Sequence, residues 1–465
     1  MAITTPQTNS TDRGSLGSTH GARPTLETDP QKYISLGQLI DPNKPDNRDL
    51  LISAYGDQGL TGFLTMTGAV NNAGTADEVT WWEEGRLHAR TEITTADTTA
   101  AITFNASSKA GFVDARVNDV LLDASGNKYI VGGTASAPVL KGFDNALKVN
   151  LSAFDAVIIG NIYPQGSDQP SKFFHPGVKK FINPYIITKE TYAVNGSQAT
   201  NIGWVNVGNG DYRWYVKGEM DARKRFMNQR ELMLLFGESH ENVLGGTYDN
   251  AVDIDLTGDA GKVTGSEGYF QAVDRRGITA TVSGGAQGTF ASMSDIDSII
   301  LELDKEGAPS EYAMYVNRAT SLDIDDMLAN GIATQVTAGL PGQFGAFNND
   351  ADMAVKLGFK SFTRGGYTFH KHDWKLLNDS TVGGMINIKG AMVPLTNVTD
   401  ARTGAKAPAL QMNYKGTNGY NRDMEHWVRG SILGHNNLSK DVAEFYYRSE
   451  CNLCVRAANQ HVVLK

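Results

Sequence analysis

The sequence predicts an α+β chain: one long helix braced by β-structure, with a capped α/β segment after it. Three observations carry this. Residues 211–236, DYRWYVKGEMDARKRFMNQRELMLLF, run without a proline up to Gly237. At ~100° per residue, Val216, Met220, Met227 and Leu234 fall on one line, widened by Ala222, Phe226 and Met233, while Lys217, Asp221, Lys224, Arg225 and Asn228 face away. At 1.5 Å per residue such a rod is roughly 39 Å long. Second, residues 81–163 read as closely spaced strands punctuated by turn residues. Third, apolar runs of strand length alternate with capped helices across residues 269–400.

Taken in order, residues 1–31 are polar and poor in apolar side chains, a composition that stays disordered in isolation. Residues 32–75 break into YISLGQLI, a DPNKPDN interruption, RDLLISAYG and GLTGFLTMTGAV. That is too broken for a core of its own and reads as an extended arm that docks elsewhere. In WWEEGRLHARTEITTAD (81–97), Arg86, His88, Arg90 and Glu92 share one parity and Leu87, Ala89, Thr91 and Ile93 the other, which predicts one strand with a wet face. Residues 98–163 supply AAITFNA, GFVDARVNDVLLD, the turn ASGN, KYIVGG, PVLKGF, ALKVNL and AVIIGNIY, a small inserted β-barrel or sandwich. Residues 164–210 read as a long return segment, and 238–268 as loop-rich.

Beyond them, SMSDIDSIILELDKEG predicts a helix with a serine or aspartate N-cap and Gly307 past its end. EYAMYVN reads as a strand, SLDIDDMLANG as a helix ended by its glycine, and GYTFHKHDWKLL as a strand. NRDMEHWVRGSILG and the β-like EFYYRSECNLCVRAANQHVVL complete the chain.

A length of 465 residues fits two to four domains. Hydrophobic content of 40%, charged content of 20%, 50 glycines and 14 prolines describe a turn-rich globular protein. A net charge of −9 disfavours a dedicated nucleic-acid binder, because affinity for phosphate comes mostly from Lys and Arg. No run approaches 18 apolar residues and the N-terminus lacks an apolar signal core, which points to a protein made and used in a cytoplasm. The two cysteines, Cys451 and Cys454, are too few for a disulfide framework.

Catalysis finds no foothold. On a strand, the thiols of Cys451-Asn-Leu-Cys454 point to opposite faces and serve as small buried hydrophobes. His370 and His372 share a strand face, but no third metal ligand is nominated. Glu83 and Glu84 are adjacent and diverge, unlike a converging glycosidase pair. Trp81 and Trp82 suit a packed aromatic at a subunit contact better than sugar stacking. Gly284-Gly285-Ala286-Gln287-Gly288 lacks the Lys-Ser/Thr of a phosphate loop and reads as a flexible loop. Glu219 and Arg223 sit four apart, with Arg230 nearby; they read equally as a solvated edge or as an ion pair between subunits. The candidate assembly residues are therefore Trp81, Trp82, Arg86, Arg90, Glu219, Arg223 and Arg230, with no catalytic residue, cofactor or metal ligand.

Several pieces together resemble a known family. An arm leads into a long β excursion; KGEMDARKRFMNQRELMLLFG follows as a helix, then VTGSEGYFQAVDRRG, a capped α/β segment and YRSECNLCVRAANQHVVL. In this order they resemble the major capsid proteins of tailed double-stranded-DNA bacteriophages, which share the Hong Kong-type capsid fold. The inserted β unit and the WWEEGRLH strand are most similar to crAss-like phages. The resemblance implies an N-arm (1–75), an E-loop (76–205) with the β insertion at about 98–163, a P-domain (206–275 and 401–465) carrying a spine helix, and an A-domain (276–400). It also implies pentamers and hexamers closing an icosahedral head around DNA that is contacted weakly, with portal and auxiliary or cement proteins as further partners. Localisation follows as the virion, assembled in a bacterial host's cytoplasm. A β-rich tail-associated or carbohydrate-binding protein and an encapsulin-type compartment shell are the alternatives.

Overall fold

The computed structural model describes residues 70–72, 74, 76–88, 90–95, 102–104, 112–143, 153–170, 177–199, 214–239, 254–256, 261–263, 265–337, 361–378, 386–399, 404, 406–417, 419–431 and 439–465. The expected arm lies outside them except for β1 (Val70–Asn72) and the few residues that follow. The chain divides into two compact units, one spanning Thr80–Ile182 and the other built from the chain on either side.

The 80–182 unit contains β2 (Glu78–Glu84), β3 (Arg90–Thr95), β4 (Thr103–Phe104), β5 (Asp119–Asp123), β6 (Lys128–Thr134), β7 (Ala137–Gly142), β8 (Phe154–Asn161) and β9 (Val178–Pro184). Six of these form a sheet in the order β4-β3-β8-β5-β6-β7, antiparallel throughout. Its two ends meet where the Ile102 N–H donates to the Pro138 carbonyl at 2.8 Å. That bond draws the two ends of the sheet together, as the barrel form of the expected insertion does. Ile93, Ile102, Leu121, Tyr129, Val131, Leu140 and Ala156 fill the interior. The ASGN turn forms as expected: the Asp123 carboxylate accepts from the Ser125 and Asn127 N–H groups at 2.9 and 2.8 Å, and Gly126 takes φ +86°. ALKVNL lies outside the described residues.

The single strand expected at 81–97 is two. β2 pairs with β9 in a separate two-stranded ribbon, while β3 joins the barrel. The break falls after Gly85, whose N–H donates to Gly177 O at 2.7 Å. Alternation over β3 holds: Thr91 and Ile93 are buried and Arg90 and Thr94 are exposed. Two stretches with different partners carry one continuous parity, which the sequence cannot divide.

In the other unit, β10 (Ile186–Asn195) follows the ribbon, then α1 (Trp214–Phe236), the hairpin β11 (Ile254–Leu256) and β12 (Gly261–Val263), α2 (Tyr269–Arg276) and β13 (Ile278–Ala280). β9 and β10 lie in what the sequence reads as a long return segment. Next come α3 (Met293–Lys305), β14 (Glu311–Val316), α4 (Arg318–Thr337), β15 (Ser361–Arg364), β16 (Tyr367–Asp373) and β17 (Gly390–Pro394). Short strands β18 (Asn397–Thr399), β19 (Lys406–Pro408), β20 (Leu410–Tyr414), β21 (Gly416–Thr417) and β22 (Tyr420–Asn421) lead to β23 (Glu425–Gly430), β24 (Val442–Val455) and β25 (Val462–Leu464).

Two sheets organise this unit. The first centres on β24, paired along its length with β10 on one side and with β20 and β23 on the other; β1 extends it beside β20. The second runs β13-β25-β17-β14-β16-β15, and its central strands β25, β17 and β14 are buried on both faces. Along β14, Ala313 and Tyr315 enter a core shared with α2 and the end of α1, whereas Tyr312, Met314 and Val316 enter a core under α3 and α4. Burial on both faces explains the continuous apolar run YAMYV.

Local signals fix the helix ends. Ser292 caps α3 in a capping box with Asp295, and Gly307 takes φ +62° beyond its C-terminus. The helix α4 differs from expectation. It starts at Arg318, where Asn317 Oδ1 accepts the Thr320 N–H at 2.8 Å, and it continues past Gly331. Among the described residues no helix is long and apolar enough to cross a membrane.

Candidate assembly surfaces

The ribbon joins β2 and β9 in antiparallel fashion, its ends marked by Gly85 N–H to Gly177 O and Tyr185 N–H to Asp77 O. That register sets Trp81 opposite Phe181, and the two rings stack with centroids 5.8 Å apart, both buried. The Trp81 indole donates to Glu83 Oε1 at 2.9 Å, and Lys179 Nζ lies 5.5 Å from the Phe181 ring. The opposite face is left in water: Trp82 is 64% exposed and Val178 53%, with Leu87 at 79% beyond the strand end. Adjacent tryptophans thus have different tasks. Trp81 holds the ribbon together and Trp82 projects into solvent. Arg86 and Arg90 are exposed.

Helix α1 ends at Phe236 as its sequence predicts, with Gly237 N–H donating to Met233 O at 2.8 Å and no room there for a Cβ. Its contact face differs from the expected line. Ala222 and Phe226 pack on the β10/β24 sheet, Phe226 tilted against Tyr447 at 5.8 Å. Further along, Leu234 and Leu235 enter the core with Tyr269, and Phe236 stacks on Phe270 at 4.9 Å. The buried sector therefore turns around the rod as its neighbours change. Met220 and Met233 remain 54% and 42% exposed. Gly218 lies under Tyr192, whose hydroxyl would stand 2.4 Å from an added Cβ, so a larger residue there would have to displace the Tyr192 ring end.

Glu219 faces the sheet and not Arg223. It accepts from the Tyr447 hydroxyl at 3.2 Å and lies 3.6 Å from His426 Nε2. Burial and this carboxylate push the Tyr447 phenol up to about 12. Arg230 pairs with Asp423 at 2.9 Å and donates to Met412 Sδ at 3.3 Å. Glu219 and Arg230 thus engage their own chain, while Arg223 is exposed.

The segment VTGSEGYFQAVDRRG hides a polar cluster that sequence reasoning missed. Buried Asn183 donates to Glu267 O and Leu453 O at 2.9 and 2.7 Å and accepts from Glu267 N–H and Ser266 Oγ at 2.9 and 3.0 Å. The buried Glu267 carboxylate receives both terminal nitrogens of Arg276 at 3.0 and 2.8 Å. Asn452 Nδ2 donates to Asn183 O at 2.8 Å. No local pattern announces these partners, because they are brought together from distant parts of the chain.

The other candidate groups are structural. Cys451 and Cys454 are buried on β24 and burial raises both thiols, Cys454 to about 11. His370 lies 3.1 Å from Glu311 Oε1, and His372 stacks on Tyr315 at 5.4 Å. Among the described residues no three His, Cys, Asp or Glu side chains converge as metal ligands. The glycine loop expected to be flexible is pinned from below. Buried Asp323 accepts from Gln287 N–H, Thr289 N–H and Thr289 Oγ1 at 2.8, 2.9 and 2.6 Å, and Lys389 donates to Gly288 O at 3.1 Å.

No protein family and no curated protein matches the sequence. Among solved structures, the chain is similar to the capsid protein of cyanophage P-SCSP1u, at 8% identity and TM-score 0.38, covering 93% of this chain and 98% of that one. It is similar to the mature capsid protein of bacteriophage PhiM1, at 8% identity and TM-score 0.38, covering 90% and 91%. It is also similar to the SrpI encapsulin of Synechococcus elongatus PCC 7942, at 12% identity and TM-score 0.30, covering 63% and 76%.

Proposed function

We propose that this chain is a major capsid protein of a tailed double-stranded-DNA bacteriophage. It builds pentamers and hexamers that close an icosahedral head, with the segment boundaries 1–75, 76–205, 206–275 with 401–465, and 276–400 as arm, E-loop, P-domain and A-domain. The observation that carries the reading is the β2/β9 ribbon. Two strands alone are marginal in water, and this pair exposes Trp82, Val178 and Leu87. Such a surface becomes stable when another subunit covers it. Heterologous contacts of this kind close into rings. The work done is interface burial, not catalysis. A net charge of −9 keeps contact with packaged DNA weak. Portal and cement proteins complete the virion, and assembly takes place in the bacterial cytoplasm.

The test is expression of the full chain followed by size-exclusion chromatography and electron microscopy. Shells, tubes or five- and six-membered rings are expected, and Trp82→Asp abolishes them while leaving the circular dichroism spectrum unchanged. A monodisperse monomer that binds glycans would support the tail-associated reading and overturn this one.

A further inference from the structure

The six-stranded sheet of the inserted unit carries apolar side chains on both faces, and only one face is the interior. On β8, Ala156 and Ile158 line the core, while Val157, Ile159 and, just past the strand, Ile162 point outward at 38%, 51% and 51% exposure. Register carries this line across the neighbouring strands. Val157 stands opposite Leu122 on β5, and Leu122 opposite Lys128 on β6. A shift between Val120 and Leu121 sets Ile159 beside Val120, which faces Ile130, and Ile130 faces Lys141. Phe143 lies one step beyond the Tyr129–Gly142 pair, next to Lys128, and is 55% exposed. Side chains directly opposed across strands are roughly 5 Å apart, so these groups form one continuous outer band. Contiguous apolar surface of this kind marks an interaction site.

The charges set in this band are of one sign. Arg90 stands opposite Val157, and Lys128 and Lys141 lie within the band; all three are exposed. Among the described residues none of the three forms an ion pair. The Lys141 stem lies along Gly132, which leaves its ammonium at the surface. Glu92 and Asp155, opposite each other one row beyond Arg90, close that end, and the Asp123 carboxylate is turned into the ASGN turn. A second copy of this chain offers no complement among its described residues. Leu301 and Leu322 stand singly, Met220 lies beside Arg223 and Lys224, and Trp82 stands between Glu84 and the exposed Lys180. An apolar face rimmed by acids, which this band calls for, is not among them.

We propose that the outer band of the inserted unit is the docking site for a protein of different sequence, one that presents an acidic amphipathic segment. Its apolar side chains cover Val157, Ile159 and Phe143, and its carboxylates meet Arg90, Lys128 and Lys141. Burial supplies the affinity, and the unpaired cations select an acidic partner over a basic one. The site is independent of the capsid reading, since the surface of the inserted unit alone carries it.

The probe is a fluorescein-labelled peptide with leucine on one helical face and glutamate on the other, titrated with the full chain and read by fluorescence anisotropy. Two counterparts accompany it, one with lysine in place of glutamate and one with serine in place of leucine. The acidic amphipathic peptide is expected to bind at least tenfold more tightly than either. Ile159→Glu weakens that binding at least tenfold, and so does Lys128→Gln combined with Lys141→Gln, a change confined to exposed side chains that keeps the fold should Ile159→Glu lose it. Leu301→Glu, on a different exposed face, leaves binding unchanged. Circular dichroism checks each variant. Equal binding of the acidic and basic peptides, or binding indifferent to the lysine substitutions, overturns the proposal. Sedimentation with phosphatidylglycerol vesicles but no peptide binding overturns it in favour of a lipid surface. Self-association of the chain that Ile159→Glu abolishes, again without peptide binding, overturns it in favour of a second copy. Shell formation by the same preparations is scored separately by electron microscopy, so loss of the docking site leaves the capsid reading standing.

Discussion

Replacing Asn183 with alanine tests whether the buried cluster around it holds that region together. The side chain makes four hydrogen bonds, two given and two received, at a site closed to water. Its removal orphans two buried donors, Glu267 N–H and Ser266 O–H, at about 1–3 kcal/mol each. Two carbonyls, Glu267 O and Leu453 O, lose one donor apiece but keep backbone alternatives, so their loss is smaller. The sum is about 3–5 kcal/mol, a large share of the ~5–15 kcal/mol that stabilises a typical fold. With an unfolding entropy near 2 cal/mol/K per residue over a chain of 465 residues, this corresponds to a Tm lower by about 3–5 °C. The assay is differential scanning calorimetry of unassembled chain, with Asn195→Ala as an exposed control. Asn183→Asp keeps the acceptor and loses the donors, and falls at least as far. If Asn183→Ala melts within about 1 °C of the parent, the cluster is not what secures this region and the reasoning fails.

Three further outcomes are expected. Burial holds His461 down to about 3, so it stays neutral in the folded chain while an unfolded imidazole takes a proton below about 6.5. The unfolded state then binds more protons, and stability falls as pH drops from 6.5 towards 3 at up to about 1.4 kcal/mol per pH unit. His461→Gln should flatten the decline of Tm over that range relative to the parent; parallel curves would refute it. Asp323→Ala removes three bonds to the 284–289 loop and costs about 2–4 kcal/mol; hydrogen exchange at the Gln287 and Thr289 amides should accelerate at least tenfold, and unchanged protection would contradict the anchoring role. The thiols of Cys451 and Cys454, buried and raised, should react with a disulfide reagent at pH 8 only after denaturant unfolds the chain; prompt labelling of native protein would show β24 to be open.

What the sequence determined by itself is local. A proline-free run stopped by Gly237 makes α1, Ser292 with Asp295 starts α3, and ASGN turns β5 into β6, because each signal acts within about one turn of chain. Inward and outward parity on β3 follows from period-two geometry in the same way, whereas the two cysteines, on opposite faces of β24, are both buried because that half of the strand is covered on both faces. What only the tertiary structure decided depends on which distant segments meet. The side of α1 that packs changes along its length because the sheet lies under Phe226 and a different core surrounds Leu235. The same apolar stripe that marks the helix leaves Met220 in water. Gly85 divides one alternating run because its two halves pair with β9 and β8, strands that belong to different sheets. Trp81 and Trp82 differ in fate by one residue of parity, which becomes visible only when Phe181 takes its place opposite. Asn183 meets Ser266, Glu267 and Leu453 across long separations, and a hydrogen bond leaves no periodic trace in the sequence that forms it.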